Sequence, residues 1–318
     1  MLRCKRNAST LAFVPFVALL AAHAAAQADG PPSAAAPVAP GVYVVSGTGG
    51  DPEPANRGRV ANAAFVIGDH GVVVIDSGVS YRHGEAIIAA VRRVTARPIR
   101  LLILTHPSQE VVFGAAAFQA RGIPVLMHRD AAMLMAARCD VCLRRLEETL
   151  GATEMGRTRV VAPERTIAGN TFLDVAGTQL LLIAPRHSSA PGALAVLDQR
   201  TGTLMAGALV PVARVPDLRD SDGAHWRVAL DTLRATRCAR LIPAFGPVAD
   251  CTAIDATDRY FAMLDDCVRA AFARGVGLAE IGAECELRAF ADWDGYATLH
   301  RANASRAFLN VERAALTQ

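Results

Sequence analysis

The sequence predicts an α/β protein folded as a four-layer α/β/β/α sandwich with a helical C-terminal extension. Short apolar runs of strand length alternate with segments of helical period, the pattern of sheets covered by helices. That pattern occurs twice, first over residues 41–130 and again over residues 158–250. Two halves of this kind, packed sheet to sheet, make the four layers. Strand signals then fade, and residues 251–318 read as mostly helical, which gives the extension.

The first residues stand outside this pattern. Arg3, Lys5 and Arg6 precede an apolar core, "LAFVPFVALLAA", too short to span a bilayer comfortably, and "AHAAAQA" offers small residues for cleavage. Residues 1–26 are therefore expected to be a secretory signal peptide. Residues 27–40 are Pro/Ala-rich and aperiodic, and are expected to be a flexible leader. Residues 41–250 would form the sandwich, with residues 251–318 packed on the same domain. No later stretch is long and apolar enough to span a membrane once the signal is removed. The expected location is the periplasm or the cell exterior.

Within the domain, "GVYVVSG" reads as a strand. "NAAFVIG", "DHG" and "VVVIDSG" read as a hairpin whose second strand ends at Asp76. "GEAIIAAVRRV" places Ile87, Ile88 and Val91 on one helical face. "IRLLILTH" is a buried strand delivering Thr105-His106 to its tip, "FGAAAFQARG" a helix closed by Gly122, and "IPVLMH" a further strand. Residues 130–150 are helical. Strands resume with "TRVVAP", "TFLDVAG", "TQLLLIAP", "GALAVLD" and "TLMAGALV". The helix "HWRVALDTLRAT" and the strand "ARLIPAFGP" complete the second half.

Composition excludes several classes of function. With 52% hydrophobic and 20% charged residues the chain is not a disordered one. Cleavage after Ala26 would leave 30 basic and 30 acidic residues, so no charge excess draws it to nucleic acid. Lys5 is the only lysine, so no lysine nucleophile or Schiff base would remain. Six cysteines would remain, an even number that favours disulfides in an exported protein. Proximity along the chain suggests Cys139–Cys142, Cys238–Cys251 and Cys267–Cys285. The "CDVC" run could instead be a redox pair, but it lies within a charged helical stretch, where a structural disulfide is the plainer reading.

The order and spacing of "GVYVVSG", "ANAAFVIGDHGVVVIDSG", "TH" with "VFGAAAF", "RHSSAPGALAVLDQRTGTLMAGALV", "LIPAFGPV" and "LHRANASRAFLNVERA" resemble the metallo-β-lactamase superfamily. The closer resemblance is to its periplasmic branch of quinoprotein relay system zinc metallohydrolases. It spans the chain from about Gly41 to the C-terminus. It implies a metallo-β-lactamase-like sandwich, zinc chemistry and a setting of periplasmic quinoprotein dehydrogenases.

In the family, an H-x-H-x-D-H run after a buried strand, a later His, a bridging Asp and a final His hold two zinc ions. This sequence keeps His106 and His187 at two of those seven positions. Ser108, Glu110, Val111, Ala208 and Phe245 stand at the others. Valine, alanine and phenylalanine side chains cannot coordinate zinc, so the resemblance implies a degenerate motif. A residual single site could use His106, Glu110 and His187 with at most one zinc, two imidazoles and a carboxylate being a legitimate set. Asp76, Ser108 and Ser188 would support it from outside the metal.

Two readings follow. The first is a non-hydrolytic protein binding a small ligand or a quinoprotein dehydrogenase partner, with no catalytic residues assigned. The second is a mononuclear zinc hydrolase. His225, near a helix start, is a conceivable outside donor but reads better as an exposed polar residue. His128, His300 and Asn303 read as structural, His70 as a turn residue, and Ser188 and Ser189 as shaping the His187 loop. The glycine-rich "GTGGDPEPANRG" precedes no helix and is expected to cover the pocket mouth.

Overall fold

A computed structural model describes residues 34–317, so the expected signal peptide and most of the leader lie outside the described residues. Seven strands form a first sheet in sequence order: β1 (Ala36–Ala39), β2 (Val42–Val45), β3 (Ala63–Gly68), β4 (Gly71–Ile75), β5 (Ile99–Ile103), β6 (Val125–His128) and β7 (Arg165–Ile167). From β4 onward the neighbours are parallel. The second sheet has five strands: β8 (Thr171–Val175), β9 (Thr178–Ile183), β10 (Ala195–Asp198), β11 (Thr203–Gly207) and β12 (Arg240–Pro243), in the order β12-β11-β10-β9-β8. Only β11 and β12 are parallel there.

Side-chain alternation explains why the sheets stack. A strand sends successive side chains to opposite faces. In β4, Val72 and Val74 enter one core while Val73 and Ile75 enter another; in β5, Leu102 and then Leu101 and Ile103 divide the same way. The shared central core also takes Val196 of β10, Met205 of β11 and Ile242 of β12 from the facing sheet. The outer face of the first sheet is covered by α1 (Tyr81–Val94), α2 (Gln109–Val112), α3 (Ala115–Gln119) and α4 (Arg129–Met155). The outer face of the second is covered by α5 (Gly223–Arg234) and α6 (Ala253–Ala273), with α7 (Ile281–Glu284) and α8 (Arg301–Leu316) beside them. Three apolar layers between four structural layers make the α/β/β/α sandwich.

Local differences from the sequence reading have physical causes. Ala36–Ala39, expected within the leader, form the edge strand β1, where Pro37 costs little because an edge strand can leave one side unpaired. "TRVVAP" is not a strand; the pairing falls on Arg165–Ile167 instead. Helix α4 runs longer than expected and is interrupted at Gly151, whose φ of 76° a glycine accepts without strain. Cys238–Cys251 and Cys267–Cys285 are disulfides, whereas Cys139 and Cys142 are free thiols. Both lie on α4 ahead of the Gly151 interruption, with Cys139 turned into the core and Cys142 half-buried. Burial and the neighbouring Cys142 thiol push the Cys139 thiol up to about 12, so it is a poor nucleophile.

In the extension, Asn303 donates to Pro216 O and to the Tyr260 hydroxyl, and its Oδ1 accepts from Leu218 N–H. Buried His300 contacts Cys285 O through Nε2 and the Tyr260 hydroxyl through Nδ1. Both residues tie the last helix to the domain. Among the described residues, no helix is long and apolar enough to cross a membrane.

Candidate functional site

The carboxyl ends of β4, β5, β11 and β12 meet at one edge of the sandwich, where open α/β sheets commonly bind ligands. Asp76 follows β4. Its φ of 64° is in the left-handed region, which Asp tolerates better than most residues. Its N–H donates to Ile103 O at 2.8 Å, so the tips of β4 and β5 are tied. Its carboxylate accepts from both Thr105 N–H and the Thr105 hydroxyl, each at 2.8 Å. Burial pushes the Asp76 carboxyl up to about 7, against the pull of the Thr105 bonds.

Thr105 is the hinge of the site. Its carbonyl accepts from Leu194 N–H at 2.8 Å across the sheet interface, and its hydroxyl lies 2.7 Å from His106 Nδ1. With Asp76 ionised, the hydroxyl proton goes to the carboxylate, and His106 Nδ1–H must donate to the hydroxyl oxygen. Nε2 then carries a bare lone pair. It is buried and has no hydrogen-bond partner. Burial drives the His106 imidazole down to about 3, so the ring is neutral at ordinary pH. Such an atom is chemically fit to be a metal ligand or to accept a hydrogen bond.

One donor does not make a zinc site. Ser108 donates its hydroxyl to Glu110 Oε2, and Gln109 Nε2 donates to Glu110 Oε1 at 3.1 Å, so that carboxylate is engaged locally. Val111 is fully buried in the outer core. His187 is exposed in the loop between β9 and β10. Its ring stands against His225, with centroids 4.8 Å apart. Ser188 lies buried below it; its carbonyl accepts from the Ser221 hydroxyl. Among the described residues, no three His, Cys, Asp or Glu side chains are grouped to hold a metal ion. The donor set of His106, Glu110 and His187 is therefore not assembled for zinc.

The space beside His106 is taken by an aromatic ring. Phe245, just past β12, meets the imidazole edge-on at 6.1 Å between centroids. The Arg214 guanidinium lies 5.1 Å above the other ring system's centre, on Phe245. Arg214 is paired with Asp294 and donates to Gly50 O at 3.2 Å, while Gly50 N–H donates to Asp294 Oδ2 at 3.0 Å. The glycine-rich loop is thus latched to Arg214. Beneath the strand tips, a cavity lined by Asn62, Asp76, Gly207 and Ala244 measures about 10 Å³, roughly one water.

The sequence model of the metallo-beta-lactamase superfamily matches residues 56–244, more than half of the chain. The chain belongs to the metallo-β-lactamase superfamily. No curated protein sequence matches it. Among solved structures, a metallo-beta-lactamase from Pontibacter korlensis is similar at 20% identity and a TM-score of 0.59, over 72% of this chain and 98% of that one. The metallo-beta-lactamase FIM-1 from Pseudomonas aeruginosa, in its mono-zinc form, has 18% identity and a TM-score of 0.58, over 73% and 98% of the two chains. The inverting sec-alkylsulfatase Pisa1 from Pseudomonas sp. has 18% identity and a TM-score of 0.69 over 87% of this chain, but that match spans 50% of the alkylsulfatase. At these identities the likeness is one of fold.

The superfamily fold usually presents zinc at this edge, which gives the orphaned His106 Nε2 a chemical context. Sequence reading reached His106, Asp76 and Phe245. It gave no role to Thr105, although Thr105 joins the carboxylate to the imidazole, nor to Arg214, which reaches the site only through long-range contacts. The "TH" dipeptide at a strand tip was the available signal for the first. Nothing local marks the second among the many arginines.

Proposed function

We propose that this member of the metallo-β-lactamase superfamily has a degenerate dinuclear zinc motif and acts without hydrolysis. It would be a ligand- or partner-binding protein linked to periplasmic quinoprotein dehydrogenase systems. The observation that carries the reading is Phe245 packed against His106, where a zinc ligand would have to stand. Val111 and Ala208 offer no donor either. Two disulfides agree with an oxidising compartment. The quinoprotein partner rests on the family resemblance of the motifs alone.

The orphaned Nε2 of His106 favours a second reading, a mononuclear zinc hydrolase using His106, Glu110 and His187. Metal analysis of protein purified without added zinc separates the two, alongside assays with a lactam, a lactone, a thioester and a sulfate ester. The first reading expects well under one zinc per chain and no turnover. Near-stoichiometric zinc that disappears in His187→Ala, with turnover of any of the four, supports the second. Two tightly held ions with turnover would overturn both.

A further inference from the structure

His187 and His225 stand together at the surface, their rings tilted by 41° with centroids 4.8 Å apart. They come from separate elements. His187 sits in the β9–β10 loop, and His225 in the first turn of α5. Asp222, the N-cap of α5, joins them into a unit. Its Oδ1 accepts from His225 N–H at 2.9 Å, and its Oδ2 lies 2.7 Å from His225 Nδ1. An ionised carboxylate only accepts, so Nδ1 carries the proton and Nε2 keeps its lone pair. Hydrogen bonding of this kind, carboxylate to imidazole, commonly fixes the tautomer of a metal-binding histidine. The Ser221 hydroxyl donates to Ser188 O, which pins the His187 loop beside the α5 cap.

We propose that His187 and His225 form a surface site for a late first-row divalent transition metal, with Asp222 as the positioning residue. Imidazole is a good donor for such ions, and affinity rises through nickel to copper. Two nitrogens on one ion, each at about 2.0 Å, lie roughly 3.3 Å apart in tetrahedral geometry. Rings with centroids 4.8 Å apart, on exposed side chains that can rotate, are near enough to share one ion. The remaining positions on the ion are left to water or an incoming ligand. His106 and Glu110 take no part; His187 is shared with the mononuclear reading above, and the His225 and Glu110 variants below tell the two ligand sets apart.

The test uses untagged protein and Ni(II) alone as probe. Binding is read by calorimetry and by paramagnetic loss of the histidine ring-proton resonances. One equivalent should bind and erase the His187 and His225 signals first. His225→Ala and His187→Ala should each weaken binding at least tenfold. Asp222→Asn, which remains a good helix cap, should weaken it several-fold while both rings still respond. Glu110→Gln should leave the affinity unchanged. Undiminished affinity in His225→Ala overturns the site. Weakening by Glu110→Gln as large as by His187→Ala also overturns it, because His187 would then be serving the His106 edge instead.

Discussion

Replacing His83 should flatten the acid side of the stability profile by about one proton. His83 lies in the first turn of α1, fully buried, with Nδ1 accepting from Val79 N–H at 3.3 Å. Burial, then the nearby Arg59 and Arg57 guanidinium groups, lower its imidazole to about 3. The positive end of α1 acts in the same direction. A folded value below the unfolded one means that the unfolded chain takes up the proton first. The stability is therefore fully present above about 6.5 and is lost as pH falls toward 3. Each unit is worth about 1.36 kcal/mol, so going from pH 7.5 to 4.5 should cost about 2.7 kcal/mol through this residue alone.

His106 adds a loss of the same sign and Asp76 opposes it, so the wild-type profile alone does not isolate His83. The difference between wild type and His83→Asn does. Asparagine places an acceptor near the Nδ1 position, and its constant packing cost cancels when slopes are compared. Urea denaturation at half-unit steps from pH 4.5 to 7.5 gives both curves. The gap between them should shrink by about 2.7 kcal/mol toward acid pH. Parallel curves, or a His83 ring signal that titrates above pH 5 in the folded protein, would refute the reasoning.

Asp76→Asn should change the profile in the opposite sense. The raised Asp76 carboxyl gives stability below its unfolded value of about 3.8 that is lost as pH rises through about 7, so the variant should gain on wild type between pH 5 and 8 in the same denaturation series. Glu154→Gln should cost about 3 kcal/mol and speed proteolysis within residues 46–62, because buried Glu154 accepts from Arg57 and Ser80 and pairs with Arg59. Gly114→Ala should cost about 3 kcal/mol or more in thermal or urea unfolding, since its Cβ would lie 1.8 Å from Ser77 O.

Strands such as "VVVID" and "IRLLIL" were legible because parallel strands buried on both faces leave near-continuous apolar runs. Helix α1 was legible from its spacing. Strand β1 was not, because its pairing with β2 overrides a Pro/Ala composition that carries no strand signal. At the candidate site the identities of His106, Glu110 and His187 could be read, but not their directions. Glu110 is held by its own neighbours Ser108 and Gln109, and His187 stands with His225, a residue 38 positions further along. Residue type sets what a side chain can bind. Only packing decides which atoms it meets.

The persistence of this fold around a sparse ligand set has a physical basis in Asp76 and Thr105. Asp76 closes the β4–β5 tips through three hydrogen bonds, none of which involves a metal. Thr105 O ties that closure to Leu194 on the facing sheet, and a Cβ on Gly207 would lie 2.7 Å from Thr105 Oγ1, so the two sheets are in close contact there. Asn62 completes the seam by donating to Pro243 O and Gly246 O at the end of β12. The strand tips are held by protein groups alone, so apolar residues can occupy Val111, Ala208 and Phe245 without dismantling the edge. The same seam keeps His106 Nε2 buried without a hydrogen-bond partner, a cost of about 1–3 kcal/mol for an unsatisfied polar atom. With Asp76 ionised that atom is an acceptor, and a side chain kept at that cost beside Phe245 is the strongest structural reason to look for a small hydrogen-bond donor, rather than a metal ion, at this edge of the sandwich.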